Sequence, residues 1–210
     1  MKKFIYALSA ILFSSLFLSA QNFEGKIVYQ NVVKSKIPNV ADAQFVNILG
    51  KSTEYYIKNG DYKSILKGAS IESQQYLKKE NKLYTKMANS DTFLWNDGAK
   101  NPDEVLKVEL NKGVLTVAGF KCDEIILTCL SGVQKYYFNS KVGIDSDLFI
   151  NHKFGNWYDF ISKSKALPLK YSIENSQFIL ESTATSVQNL VLDELFFQLP
   201  ANAKTMKNEF

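Results

Sequence analysis

From Ser52 to Phe138 the chain is a succession of short strand-like runs separated by turn residues, and no other feature constrains the fold as much. Thr53–Lys58 and Tyr62–Leu66 flank Asn59-Gly60-Asp61, a hairpin turn of the preferred kind. Ser73–Lys78 and Lys82–Met87 flank Glu80-Asn81. Thr92–Trp95 runs into Asn96-Asp97-Gly98, and Asn101-Pro102 breaks the chain. Val105–Leu110 alternates, and Asn111-Lys112-Gly113 reads as a turn into Val114–Val117. The most legible stretch is Val117–Phe138. There an apolar, β-branched run from Cys122 to Leu130 meets the turn dipeptide Ser131-Gly132 and returns through Tyr136, Tyr137 and Phe138. Strands at this spacing predict an antiparallel meander of the barrel or sandwich kind, with Val117–Phe138 in the middle of one large sheet.

The flanks add one strand at the start and a helix near the end. In Phe23–Tyr29 the residues Phe23, Gly25, Ile27 and Tyr29 share a face, and Glu24, Lys26 and Gln30 share the other, as in a sheet with one wet side. Val40–Leu49 predicts a short helix with Asn39 as its cap, Asp42 in its first turn and Gly50 at its end. Asn151–Lys165 is the stronger helix candidate. Phe154, Trp157, Tyr158 and Ile161 recur at helical spacing and form a stripe wide enough to cover a sheet. Pro168 forces extended chain, Leu169–Glu174 and Gln177–Glu181 form a hairpin around Asn175-Ser176, and Thr183–Leu192 continues as strand. The fold closes at Phe196–Pro200, and residues 201–210 are expected to trail as a flexible tail. The expected class is mainly β (α+β): a large curled antiparallel sheet or open half-barrel, with one or two helices packed on its concave face.

Met1–Ala20 has the make-up of a signal peptide. Lys2 and Lys3 precede an apolar run, Phe4–Leu18, which is too short to span a bilayer and is followed by the small residues Ser19-Ala20. The rest, 21–200, is expected to be one domain without a transmembrane segment, exported to the periplasm or, alternatively, outside the cell. Every one of the 25 basic residues is lysine, set against 21 acidic residues and not gathered into blocks. That pattern describes a solvated surface and argues against nucleic acid. On one continuous strand Cys122 and Cys129 would be too far apart to be bridged, so either the strand breaks at Asp123-Glu124 or, as expected here, the thiols are free and buried.

Catalytic chemistry is poorly provided for, and no enzyme activity and no cofactor are expected. The one histidine, His152, lies in DLFINHKFGNW with no GxSxG in the chain, and reads as a locally hydrogen-bonded residue at a helix start. Gly143–Asp147, GIDSD, has only the beginning of a calcium loop, and no metal is expected. The carboxylate pairs Asp103-Glu104, Asp123-Glu124 and Asp193-Glu194 are adjacent in sequence, so in a strand they face opposite ways. Aromatic residues are plentiful. A curled sheet with an incompletely filled apolar face would hold a lipid-like or other apolar ligand, with the helix residues Phe154, Trp157, Tyr158 and Ile161 lining or lidding the hollow. The alternative is a solid-cored module that docks an envelope protein partner through an exposed face.

Phe23–Tyr29 (F-x-G-x-I-x-Y), Ala118–Cys122 (AGFKC), Leu167–Lys170 (LPLK) and Phe197–Pro200 (FQLP) together resemble a family of uncharacterised secreted or periplasmic Bacteroidota proteins. Their fold is similar to that of the lipoprotein carrier LolA and its receptor LolB. The resemblance implies an open half-barrel wrapped over helices around an apolar cavity. The carriers use an arginine in that cavity and this chain has none, so the resemblance assigns no site residue.

Overall fold

The computed structural model describes residues 22–68 and 70–209; the expected signal peptide, Met1–Ala20, lies outside the described residues. The protein is built on a single sheet of twelve strands, all antiparallel but for the last pairing. In chain order these are β1 (Gly25–Ser35), β2 (Ser52–Lys58), β3 (Asp61–Leu66), β4 (Ile71–Leu77), β5 (Lys82–Met87), β6 (Thr92–Asp97), β7 (Val105–Val117), β8 (Phe120–Cys129), β9 (Val133–Gly143), β10 (Ala166–Glu174), β11 (Phe178–Asn189) and β12 (Lys204–Lys207). Their order in space is β12-β6-β5-β4-β3-β2-β1-β11-β10-β9-β8-β7. Strand β1 is therefore the hinge of two meanders. One walks outward from β2 to β6; the chain then crosses to the far edge and walks back from β7 to β11. The sheet curls enough for β7 to approach β11, although three strands separate them.

Alternation sorts each strand onto two faces. Ile27, Tyr29, Tyr55, Ile57, Tyr76, Ile125, Leu127, Tyr136, Phe138 and Leu169 are buried in one continuous core, which defines the inner face. The outer face of β1 and β2 carries Lys26, Glu54 and Tyr56, joined by an ion pair of 3.3 Å and a 2.8 Å hydrogen bond from Tyr56 to Glu54. The C-terminal segment crosses this outer face. Phe196 packs edge-on against Tyr56 at 4.9 Å, and Gln75 Nε2 donates to the carbonyl of buried Phe197.

Two short helices complete the fold. Helix α1 (Asp42–Leu49) packs along β1 and buries no residue fully. Asn39 does not cap it; Ala41 holds that position, and Asp42 Oδ1 instead accepts from Ser35 N at 2.7 Å. Helix α2 (Trp157–Ser164) packs on the inner face over β8, β9 and β10. It is shorter than the expected Asn151–Lys165, because Gly155 (φ 67°) and Asn156 (φ 62°) are both left-handed and cannot belong to a right-handed helix. Its buried residues are Phe160, Ile161 and Ser164.

Other details depart from the sequence expectation, the first being that Val117–Phe138 falls on β7, β8 and β9 at one edge of the sheet rather than in its middle. Asn111-Lys112-Gly113 is a bulge inside a continuous β7, and its Gly113 N–H donates to Asp123 Oδ1 at 2.9 Å. The reversal comes later, at Ala118-Gly119 (φ 47° and 83°), a two-residue turn of the type whose twist suits a hairpin. Within the stretch expected to trail as a tail, Lys204–Lys207 forms β12, parallel to β6. Asp145, in the GIDSD segment, caps the 3-10 turn Ser146–Phe149 by accepting from Asp147 N at 2.9 Å.

Candidate functional site: an aromatic hollow on the inner face

The inner face is not filled evenly. Between the two meanders lies a cavity of about 220 Å³. Its walls are Tyr29 from β1, Tyr55 from β2, Tyr62 from β3, Tyr136 from β9 and Tyr171 from β10, with Trp157 of α2 above them. The register explains why a hollow exists here. Strand β11 lies between β1 and β10, and it sets Ala184 opposite Tyr29 and Ser182 opposite Tyr171. With these short side chains between them, the Tyr29 and Tyr171 rings meet edge-on, 5.5 Å apart. Pro168 and Ile173 add apolar wall, and Thr53, Ser64 and Gln74 form a more polar end.

Among the described residues no charged side chain lines the hollow. Burial raises the pKa of Tyr29, Tyr55, Tyr62, Tyr136 and Tyr171, which keeps all five phenols neutral at physiological pH. Most of the polar atoms are engaged. Tyr29 donates to the Pro168 carbonyl at 2.6 Å and Tyr136 to Gln134 Oε1 at 3.0 Å. Ser182 Oγ donates to Asn31 Oδ1 at 2.8 Å, and Asn31 Nδ2 donates to Thr53 Oγ1 at 3.0 Å. Two lining groups have no hydrogen-bond partner among the described residues: the Tyr55 hydroxyl and the Trp157 indole N–H. Leaving a donor buried and unpaired costs about 1–3 kcal/mol, and these two belong to residues that line the hollow although the atoms themselves are shielded from solvent.

Of the four residues expected from the sequence, Trp157 lies on the hollow. Ile161 is fully buried in the core. Tyr158 is half-buried, with Lys153 Nζ 3.9 Å from its ring centroid. Phe154 faces a separate depression near Asn101 and Lys207. The tyrosines of β1, β2, β3, β9 and β10 are the residues that sequence reasoning left unassigned. Their signal was alternation: each is on the core parity of its strand, but parity alone does not say which core position borders a void.

The other chemistry-bearing groups are engaged in contacts within the fold. His152 is stacked on Tyr76 with centroids 4.0 Å apart, and its Nε2 lies 2.9 Å from the Tyr62 hydroxyl, ninety positions away in sequence rather than local. Burial pushes its pKa down to about 3, so it is neutral. Both cysteines are free and buried. Burial, with Asp103 nearby, pushes the Cys129 thiol up to about 12, and Asn156 Nδ2 donates to its sulfur at 3.3 Å. Asp103 accepts from Ser131 N and Oγ at 2.9 and 2.7 Å, which ties the crossover to the β8–β9 turn. Larger hollows, of about 480 and 650 Å³, lie where the C-terminal segment crosses the outer face; they are lined by lysine and acidic side chains. Among the described residues no helix is long and apolar enough to cross a membrane.

No family model matches the chain, and no curated protein does. Among solved structures it is similar to an uncharacterized conserved protein from Thermus thermophilus, with a TM-score of 0.38 and 10% identity over 86% of this chain and 90% of that one.

Proposed function

We propose that this chain is an exported, non-enzymatic protein of the cell envelope that holds a small, neutral, largely apolar ligand in the tyrosine-lined hollow. One observation carries the reading: an uncharged aromatic cavity whose lining residues Tyr55 and Trp157 each carry a buried donor, the Tyr55 hydroxyl and Trp157 Nε1, without a partner among the described residues. Such a wall suits a molecule that is apolar over most of its surface and carries one acceptor oxygen, such as a ketone or an ester. Size limits the cargo. An engineered cavity of about 150 Å³ takes benzene, and drug-sized ligands need about 300 Å³ or more. At about 220 Å³ the hollow suits one substituted ring or a short acyl segment and is too small for a whole lipid anchor. The resemblance to LolA-like half-barrels is kept as a ligand-holding sheet, with a smaller cargo. The basic and apolar leader, Met1–Ala20, supports export, with the periplasm as destination.

The test uses two probes of nearly equal size, acetophenone and ethylbenzene, titrated by NMR into the protein lacking its first twenty residues. Acetophenone binds roughly tenfold or more tightly than ethylbenzene, because only it offers an acceptor to the unpaired donors. In Tyr55→Phe that preference shrinks while ethylbenzene still binds. Equal affinity for the two probes in the unaltered protein, or no binding of either at the tyrosine resonances, overturns the reading.

A further inference from the structure

The two edges of the sheet are finished differently. At one, β12 is a four-residue parallel strand, fully exposed, with a lysine at each end. Short, lysine-bearing edge strands are the usual protection against unwanted pairing. At the other edge lies β7, thirteen residues long, and among the described residues β8 is its only partner in the sheet. Its residues Val108 and Leu110 pair with Leu127 and Ile125 of β8, both of which are fully buried. They therefore belong to the inner, core-facing side. Helix α2 covers β8, β9 and β10 but not this last strand, and Val108 and Leu110 are left 39% and 54% exposed. Leu106, at the bulge between Val105 and Lys107, is 58% exposed. A core face thus runs out into solvent along an edge that approaches β11 through the curl of the sheet but is hydrogen-bonded to no strand beyond β8 among the described residues.

The sequence of that edge is complementary to itself. Val105–Leu110 reads V-L-K-V-E-L. When two such strands run antiparallel about Val108, Lys107 of each faces Glu109 of the other, Leu106 faces Leu110, and Val108 faces Val108. Lys107 and Glu109 already share the outer side of the strand, 3.1 Å apart, with side chains 63% and 43% exposed. Cross-strand pairs of opposite charge stabilise an antiparallel ladder and pairs of like charge weaken it. We infer that β7 is a self-association edge: a second copy of this chain adds its own β7 antiparallel about Val108, so that the two sheets continue through a two-fold axis. The occupant is set by the charge order, which matches the strand to its own reverse. The inference does not rest on the hollow.

The test is a charge exchange. In Lys107→Glu both members of each facing pair are acidic; in Glu109→Lys both are basic. Analytical ultracentrifugation of the protein up to about 1 mM, enough to populate a weak interface, shows a reversible dimer for the unaltered chain. Each variant alone loses roughly tenfold or more in self-association, and the two mixed recover it, because acidic edges then face basic ones. Both side chains are exposed, so neither change touches the core. A measurement on the unaltered protein gives an independent check: amide exchange at 106–110 slows as concentration rises. A chain that stays monomeric over this range overturns the inference and leaves the edge to a different envelope protein. A dimer indifferent to both substitutions, variants that fail to recover on mixing, or amides whose exchange ignores concentration overturn it as well.

Discussion

Lowering the pH from 7 to 5 should destabilise this protein by about 2 kcal/mol through His152 alone. The ring is 1% exposed, stacked on Tyr76, with Nε2 on the Tyr62 hydroxyl and Nδ1 without a partner. Burial pushes its pKa from the ordinary 6.5 down to about 3. The unfolded chain therefore takes up a proton below pH 6.5 and the folded chain does not, so stability is full above that pH and falls as the pH drops toward 3. The slope approaches about 1.4 kcal/mol per pH unit, which gives about 2 kcal/mol between pH 7 and 5, a large share of the 5–15 kcal/mol that holds a typical domain folded. His152 is the one histidine in the chain, so no second imidazole blurs the result. The assay is urea unfolding followed by tryptophan fluorescence at both pH values. His152→Phe keeps a ring on Tyr76 but cannot titrate; it is less stable at pH 7, because the Tyr62 hydroxyl loses its acceptor, yet it is flat between pH 7 and 5. Asp61, whose pKa burial raises, acts with the opposite sign at lower pH and is common to both proteins. A flat profile for the unaltered chain, or an equal slope in His152→Phe, would refute the reasoning.

Two further predictions concern the layer beneath the hollow. Phe160 is fully buried, stacked on Tyr136 at 4.3 Å and edge-on to Phe138 at 6.1 Å, so Phe160→Ala should cost about 3–5 kcal/mol in denaturant unfolding. Loss of less than about 1 kcal/mol would mean that α2 is not docked as described. The thiols should be silent in the native state: a thiol-disulfide reagent labels neither Cys122 nor Cys129 until the chain is unfolded, and then labels both. Rapid labelling of native protein at pH 7 would contradict their burial.

The strands were legible because alternation and turn dipeptides are local. Asn59-Gly60 and Ser131-Gly132 lie where hairpins reverse, and the run before Ser131 is β8. Asn111-Lys112-Gly113 misled because a bulge draws on the same residue types as a turn. What separates them is Asp123 on the neighbouring strand, which accepts from Gly113 N and, at 2.7 Å, from Lys112 Nζ, and so keeps β7 in register. The stripe Phe154–Ile161 matched helical spacing, but Gly155-Asn156 introduces a kink that moves Phe154 off the helix. It also moves the buried face to Phe160 and Ile161. The hollow could not be read at all. Its walls come from β1, β2, β3, β9 and β10, and only the pairing of β11 with β1 and β10, which puts Ala184 and Ser182 between Tyr29 and Tyr171, brings strands so far apart in sequence together.

That pairing also bears on the proposed ligand site. A core evolved only for stability would fill a gap of this size, since each void forfeits packing contacts. It would also have phenylalanine where Tyr55 has an unpaired hydroxyl, since removing a buried unsatisfied donor relieves about 1–3 kcal/mol. Elsewhere on the same face the chain satisfies its polar groups with care. Tyr29, Tyr136, Asn31 and Ser182 all find partners within 3.0 Å. Among the described residues three buried polar atoms lack a partner, and two of them, on Tyr55 and Trp157, belong to residues that border the same void; the third is His152 Nδ1. In the ligand-free protein Tyr55→Phe should then be neutral or stabilising, while the same change removes the preference for an acceptor-bearing probe. Stability rising as discrimination falls is what a binding site held at some cost to the fold requires. A Tyr55→Phe protein that is clearly less stable would place that hydroxyl in the structural network and remove the main support for the ligand reading.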